Sequence, residues 1–125
     1  MPVELATSKA LEGYRQNVAL FDTIALLLQQ QAALYQPCVL VAAAGNESRR
    51  DQRPDFEIGV SPPAVSRGVI SVGALAPGKD GMTVAAFSNT GARVAGPGVG
   101  ILSARAGGGL ASMSGTSMAA PHVAG

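Results

Sequence analysis

The residues most able to do chemistry lie in the last stretch of the sequence, GTSMAAPHVAG, residues 115–125. This stretch contains Ser117, a potential nucleophile, and His122, the only histidine of the chain. If a helix begins at about Thr116, its free N–H groups and positive end lie beside the serine and can stabilise an oxyanion. Pro121 fits such a helix only in the first turn. The combination favours a nucleophile at a helix N-terminus, although a single serine there is usually a helix cap.

A second candidate, Asn46, follows six apolar residues in the stretch VLVAAAGN, residues 39–46. Its side-chain amide can donate hydrogen bonds to a developing negative charge. Taken alone, an asparagine after Gly45 indicates only a turn. The glycine predicts that substrate or neighbouring backbone approaches closely. The alanines at 42–44 leave room for a side-chain pocket or serve tight sheet packing, and the sequence leaves both interpretations open.

The apolar pattern before Asn46 predicts a helix and then a buried strand. Apolar residues recur at spacings of three and four between residues 17 and 34, with Asn17 as N-cap and Pro37 ending the pattern. Cys38 then opens a continuous apolar run, which is typical of a strand covered on both faces of a parallel sheet. Cys38 is therefore expected to be a small buried residue and not a reactive thiol. The helical positions are Leu20, Ile24, Leu27, Leu28 and Leu34.

The middle of the sequence predicts a long loop followed by strands. Residues 47–63 are rich in charge and hold three prolines, which is typical of a surface loop. GVISVGAL predicts a strand, and residues 82–104 predict a hairpin that turns near residues 89–91 and continues into a glycine-rich bend. LASMSG predicts a last extended segment before the helix. The glycines at 96–100 do not have the spacing of a dinucleotide-binding loop.

Composition limits the class of protein. The chain has 125 residues, 47% of them hydrophobic and 4% aromatic, with 16 glycines, a mixture typical of closely packed α/β layers. Nine Lys and Arg residues against eight Asp and Glu give a net charge of +1, which argues against binding nucleic acid or an anionic membrane. No apolar run approaches the ~20 residues that span a bilayer, and no signal peptide is visible.

The final stretch resembles, at nearly every position, the nucleophile motif of the subtilases, the subtilisin-like serine peptidases. Three upstream stretches resemble family segments in the family's order: VLVAAAGNES its oxyanion-asparagine segment, PPAVSRGVISVGAL its Pro-Ala turn and following strand, and AAFSNTGARVAGPGVGI its FS-x-x-G hairpin and APGV-x-I strand. The similarity covers residues 38–125, with Gly96 in place of the usual alanine. Residues 1–17 are interpreted as an unmatched leader, and the family's SLG substrate-binding strand is missing.

The resemblance implies a subtilisin-like three-layer α/β fold with a mostly parallel sheet. Residues 1–125 would form only the C-terminal portion of that peptidase domain. In this interpretation Ser117 attacks the scissile carbonyl, while the Asn46 amide and the Ser117 backbone N–H hold the oxyanion. The Met118 thioether would lie beside the nucleophile, unless it fills the core. The substrate-binding residues implied around this pair are Ala43, Ala44, Gly45, Thr116 and Met118.

A serine nucleophile of this type also needs a histidine base and a carboxylate that orients it. His122 follows Ser117 by five positions, or about 140° around a helix at ~100° per residue, and is expected to be packed or hydrogen-bonded behind the helix. In the family the Asp and His motifs precede the serine, but no D-[ST]-G or H-G-T-H stretch occurs here. Glu4, Glu12 and Asp22 stand in unmatched contexts. Both groups are therefore expected on a missing N-terminal part of the domain.

The resemblance thus predicts a serine endopeptidase acting through an acyl-enzyme, with this chain supplying the nucleophile and the oxyanion hole. The alternative is a non-catalytic structural or binding remnant that keeps the serine segment as a helix cap. The expected partners are a peptide or protein substrate and the missing part of the domain, with self-association of the isolated chain. No catalytic cofactor and no metal ligand is expected, and the sequence does not specify structural calcium. The resemblance also implies secretion.

Overall fold

The computed structural model describes residues 1–125. The chain forms two helices and six strands, with the strands between the helices. In chain order the elements are α1 Val3–Gln31, β1 Leu40–Ala43, β2 Val69–Gly78, β3 Gly81–Val84, β4 Val94–Pro97, β5 Ile101–Ala104, β6 Leu110–Met113 and α2 Thr116–Ala124.

The long strand β2 organises the main sheet. β1 runs parallel to its first half, with Leu40 opposite Val69, and β4 also runs parallel to β2, with Val94 opposite Val72. β3 folds back antiparallel to the second half of β2. β5 and β6 form a separate antiparallel hairpin. The main sheet is therefore mostly parallel, which confirms the predicted α/β fold.

The two helices cover opposite faces of this sheet. Side chains alternate along a strand, so Val72 and Ala74 point to one face of β2 and Val69 to the other. Val72 and Ala74 pack against Ala119 of α2 in the buried core. Val69 lines a small apolar cavity together with Phe21 of α1. The molecule thus has three layers in the order helix, sheet and helix.

The hairpin predicted near residues 89–91 is wrong. β3 and β4 do not pair with each other, because each of them pairs with β2. The tight turn lies instead between β2 and β3, at Lys79 and Asp80. Asn89 is 2% exposed, so it lies inside the molecule and not at a turn tip. The stretch SNTG belongs to a partly buried segment that crosses from β3 to β4.

The helix predicted to begin at Asn17 begins at Val3, so the predicted N-cap is wrong. Its first half contains two residues each of Ala, Leu and Glu, which favour helix formation. That half is exposed all round, and for this reason no apolar periodicity marked it. The helix ends at Gln31, before Pro37.

Helix α1 approaches the sheet through Ala25. A Cβ on Gly68 would collide with the Cβ of Ala25, so the glycine permits this close contact. Ala25 is accordingly the one fully buried residue of α1, and Ile24 and Leu28 beside it are partly buried. Three leucines of the predicted apolar face are exposed instead, namely Leu20, Leu27 and Leu34.

The core is small for the length of the chain. Only 18 of the 125 residues are buried. The predicted burial of Cys38 is wrong, because this residue lies before β1 begins and β1 pairs with one neighbour only. Large apolar side chains remain exposed on α1, on the connection between α1 and β1, and on the β5–β6 hairpin. Neither helix combines the length and apolar character needed to cross a membrane.

Candidate active site

The C-terminal end of β1 meets the N-terminal end of α2 through Thr116. Its N–H donates to Asn46 Oδ1 at 2.8 Å, and its hydroxyl donates to the same oxygen at 2.9 Å. The Gly45 N–H donates to Thr116 Oγ1 at 3.2 Å. Thr116 is 0% exposed, so these bonds are shielded from solvent. They hold the Asn46 side chain against the residue that precedes Ser117.

This arrangement leaves two N–H donors without protein partners. Asn46 Oδ1 accepts both bonds from Thr116, so the amide nitrogen Nδ2 points away from them, and Nδ2 makes no bond within the protein. Nδ2 lies 3.5 Å from the point that a Cβ on Gly115 would occupy, at the start of α2. Of the first four N–H groups of α2, three bond to Asn46 or to the Gly115 carbonyl, and the Ser117 N–H has no partner. An anion beside Ser117 therefore finds unused donors.

Gly45 makes the turn that carries Asn46 away from the sheet. Its φ of +109° lies in a region that L side chains rarely adopt. A Cβ at this position would collide with the amide of Asn89 and lie 2.6 Å from Glu47 Oε2. The sequence predicted close approach of substrate or neighbouring backbone at Gly45, whereas the atoms nearest to this point in the structure belong to the Asn89 and Glu47 side chains. A larger residue here would displace Asn46.

Ser117 is the second residue of α2 and is exposed. The helix begins at Thr116, as predicted. Pro121 was expected in the first turn, but this is wrong, because it is the sixth residue of the helix. Proline has no N–H, so the Ser117 carbonyl, four residues earlier, lacks its helical donor. The backbone of Ser117 therefore lacks regular helical partners on both its N–H and its carbonyl.

His122 bonds to its own helix. Its Nδ1–H donates to the Met118 carbonyl oxygen at 2.8 Å, in agreement with the predicted hydrogen-bonded role. Among the carboxylates of α1, Asp22 accepts a hydrogen bond from the Arg67 N–H at 2.8 Å. Glu12 accepts one from Gln16 on the same helix. No group of three or more His, Cys, Asp or Glu side chains is arranged to hold a metal ion.

The residues predicted to bind substrate all come together at the junction of β1 and α2. Ala43, Gly45 and Met118 are partly exposed, and their contact with a substrate stays a prediction. Ala44 and Thr116 are 0% exposed. Their backbone N–H groups and the Thr116 hydroxyl bond to neighbouring residues, so both support the site from beneath.

Asn89 also belongs to this junction, although the sequence indicated only a turn there. Its buried side chain bonds to the segment 44–48 on both sides of Asn46. Close by, Arg50 pairs with Glu57 at 2.6 Å and donates to the Ser88 carbonyl at 2.8 Å. These bonds fasten the 47–63 loop, which has no regular helix or strand, as predicted.

Comparison with known sequences identifies the family. The sequence model of the subtilase family matches residues 9–125, so the match begins inside the stretch 1–17 that carried no visible motif. The chain is 41% identical over 113 residues to Subtilisin-like protease 1 of Trichophyton verrucosum, covering 87% of this chain and 26% of that protein. It is 46% identical over 95 residues to Subtilisin-like protease 1 of Arthroderma gypseum, and the match covers 74% of this chain and 18% of that protein. The chain thus spans about a quarter or less of these relatives.

Solved structures give the same result. The self-cleaved protease domain of PatA is similar with a TM-score of 0.63 and 33% identity, covering 83% of this chain and 35% of that one. Sphericase is similar with a TM-score of 0.58 and 26% identity, and the match covers 69% of this chain and 31% of the sphericase chain. The chain therefore belongs to the subtilase family of serine peptidases.

Proposed function

We propose that this chain supplies the nucleophile and the oxyanion donors of a subtilisin-like serine endopeptidase. Ser117 Oγ attacks the scissile carbonyl carbon, and negative charge develops on the carbonyl oxygen. Asn46 Nδ2–H and the Ser117 N–H donate to that oxygen as its charge forms. In this scheme the base takes the proton of the Ser117 hydroxyl during the attack. Collapse of the tetrahedral intermediate breaks the C–N bond, the amine leaves with that proton, and the acyl group stays on Ser117 Oγ. Water then hydrolyses this acyl-enzyme.

The observation that carries the proposal is the fixed orientation of the Asn46 amide. Two hydrogen bonds from Thr116 hold Oδ1, so Nδ2 is oriented before any substrate arrives. Donors that need no reorganisation stabilise a transition state well. A serine kept only as a helix cap would bond its hydroxyl to a helix N–H. Helix α2 has no such side-chain cap, which favours the peptidase over the non-catalytic remnant.

The complete protein must supply a base. An unassisted serine hydroxyl is a weak nucleophile at neutral pH, and His122 is bonded to the Met118 carbonyl. We place the histidine base and its aspartate on an N-terminal part of the same domain. That part and a peptide or protein substrate are the proposed partners, and no cofactor enters the reaction. Secretion of the complete protein stays a prediction from the family resemblance.

Asn46→Ala in the complete protein is expected to lower kcat about 10²- to 10³-fold and to leave KM nearly unchanged. The reason is that the amide acts mainly on charge that exists only in the transition state, and the magnitude is taken from subtilisin, a member of this family. Steady-state hydrolysis of a peptide substrate measures both constants. A raised KM with an unchanged kcat would contradict the oxyanion role.

Asn46→Asp is the matched control. The carboxylate keeps an oxygen that accepts from Thr116 but has no N–H to donate, so kcat should fall at least as far as in Asn46→Ala. The thermal midpoint should fall only in the alanine variant, because that change leaves the buried Thr116 donors unpaired. A wild-type kcat in the aspartate variant would refute the donor role. A complete wild-type protein that neither hydrolyses peptides nor labels at Ser117 would favour the non-catalytic remnant.

Oxidation of Met118 to the sulfoxide is expected to lower kcat/KM. Its Sδ lies 3.6 Å from the point that a Cβ on Gly115 would occupy. Asn46 Nδ2 lies 3.5 Å from the same point, so the thioether and the amide both approach Gly115. The added oxygen places a bulky polar group there. Peroxide treatment followed by mass spectrometry and an activity assay measures this effect. Met82 and Met113 are exposed and oxidise too. The Met118→Leu variant, which cannot be oxidised at position 118, is therefore the control for oxidation at those two residues. Full activity with the sulfoxide confirmed at Met118 would contradict it.

A further inference from the structure

Asn89 fixes the backbone that follows Asn46. Its side-chain Oδ1 accepts from the Glu47 N–H at 3.0 Å and from the Ser48 N–H at 3.1 Å. The Ser48 hydroxyl also lies 3.4 Å from this oxygen. One carbonyl oxygen therefore holds two successive backbone N–H groups directly after the proposed oxyanion donor.

The same residue fixes the backbone that precedes Asn46. Its Nδ2 donates to the Ala44 carbonyl at 3.3 Å, and its backbone N–H donates to the Gly45 carbonyl at 3.0 Å. Nδ2 also donates to Glu47 Oε2 at 2.6 Å. Asn89 thus bonds to the chain on both sides of Asn46 without bonding to Asn46 itself.

The surroundings make this support rigid. Asn89 is 2% exposed, so water does not compete for its bonds. Its amide fills the space where any side chain at position 45 would lie. Asn46 therefore has two independent supports. Thr116 orients its amide, and Asn89 fixes the position of its backbone.

We propose that Asn89 is a positioning residue for catalysis, which holds the Asn46 backbone so that Nδ2 stands at the developing oxyanion. This inference rests on the proposed function above. Asn89 is buried and does not touch the substrate, so it acts only through Asn46. Its loss should displace the donor and weaken transition-state stabilisation, while the binding of substrate changes little.

The test uses Asn89→Ala and Asn89→Asp in the complete protein. Active-site titration gives the concentration of competent enzyme, and kcat is calculated from that concentration. Asn89→Ala removes every side-chain bond and is expected to lower kcat about tenfold to hundredfold, with KM nearly unchanged. Asn89→Asp keeps the Oδ1 acceptor but turns an oxygen towards the Ala44 carbonyl and the Glu47 carboxylate. Asn89→Asp should therefore also lower kcat. If the alanine variant does not fold, the kcat of the aspartate variant tests the positioning role.

Ser71→Ala is the matched control for the loss of a buried hydrogen bond. Ser71 is 3% exposed, and its Oγ accepts one backbone N–H, from Arg93, at 2.9 Å. It has no bond to the segment 44–48. This variant should lower the thermal midpoint and leave kcat unchanged, which separates positioning from general destabilisation.

A double-mutant cycle with Asn46→Ala decides whether Asn89 acts through Asn46. In the Asn46→Ala background, Asn89→Ala should have little further effect on kcat. A full additional loss in that background would overturn the inference. An unchanged kcat in both Asn89 variants, with Asn46→Ala lowering kcat, would overturn the inference and leave the proposed function intact. An unchanged kcat in Asn46→Ala would overturn the proposed function itself.

Discussion

Replacing Ser117 by alanine in the complete protein is expected to reduce kcat about a millionfold, with KM nearly unchanged. Without the hydroxyl no acyl-enzyme forms, and the base has no proton to remove. The magnitude is that known for loss of the nucleophile in subtilisin. The oxyanion donors and substrate binding should leave a residual ~10³- to 10⁴-fold acceleration over water. Prolonged peptide hydrolysis and labelling with a fluorophosphonate probe measure the effect.

Two controls make this result specific. Ser117 is exposed and its hydroxyl makes no hydrogen bond, so Ser117→Ala should change stability by no more than ~0.5 kcal/mol. Ser103→Ala alters another exposed serine, on β5, and should keep the wild-type kcat. A Ser117→Ala protein that still reacts with the probe, or keeps more than about a thousandth of the wild-type kcat, would show that the nucleophile lies elsewhere.

The second large effect is expected when residues 1–125 are produced alone: this chain should neither hydrolyse peptides nor react readily with a fluorophosphonate probe. The oxyanion donors would be present, but the activating base would not. Rapid, stoichiometric labelling at Ser117 would overturn the prediction. In that case the same chain carrying His122→Ala would show whether His122 acts as the base.

The isolated chain is also expected to self-associate. Leu34 is 82% exposed and Val39 67% exposed, and β1 is an edge strand of the main sheet. Apolar surface and an unpaired strand edge both favour association. Light scattering across a concentration series measures this. A monomer at every concentration would contradict it, without bearing on the absence of the base.

The sequence alone was enough to propose the two ends of the candidate site, because each end lies within a short local motif. The glycine, threonine and serine that begin α2 and the asparagine that ends the β1 segment each stand within a short motif. Asn89 was not predictable in this way. A polar SNTG stretch has the same composition at an exposed turn and in a buried crossing segment, and only its partners at 44–48 distinguish the two.

The same limit explains the errors on α1. Apolar spacing placed Leu20 and Leu27 on the apolar face of the predicted helix, but both are exposed. The helix is placed instead by the contact of Ala25 with Gly68, more than 40 residues later in the sequence. Small residues give a weak apolar signal even where they determine the closest approach. Cys38 was misplaced because burial of an apolar run depends on the neighbouring strand, and β1 has one neighbour only.

The bonds that join Asn46 to Thr116 span 70 residues of chain. Contacts of such long range form only after the entropy of closing the intervening chain has been overcome. Ser117 and the Asn46 amide therefore reach their mutual position only once β1 and α2 have both packed on β2. An unfinished chain of the proposed peptidase carries the serine without the amide beside it. The chemistry proposed for Ser117 therefore depends on completed folding of this part of the chain.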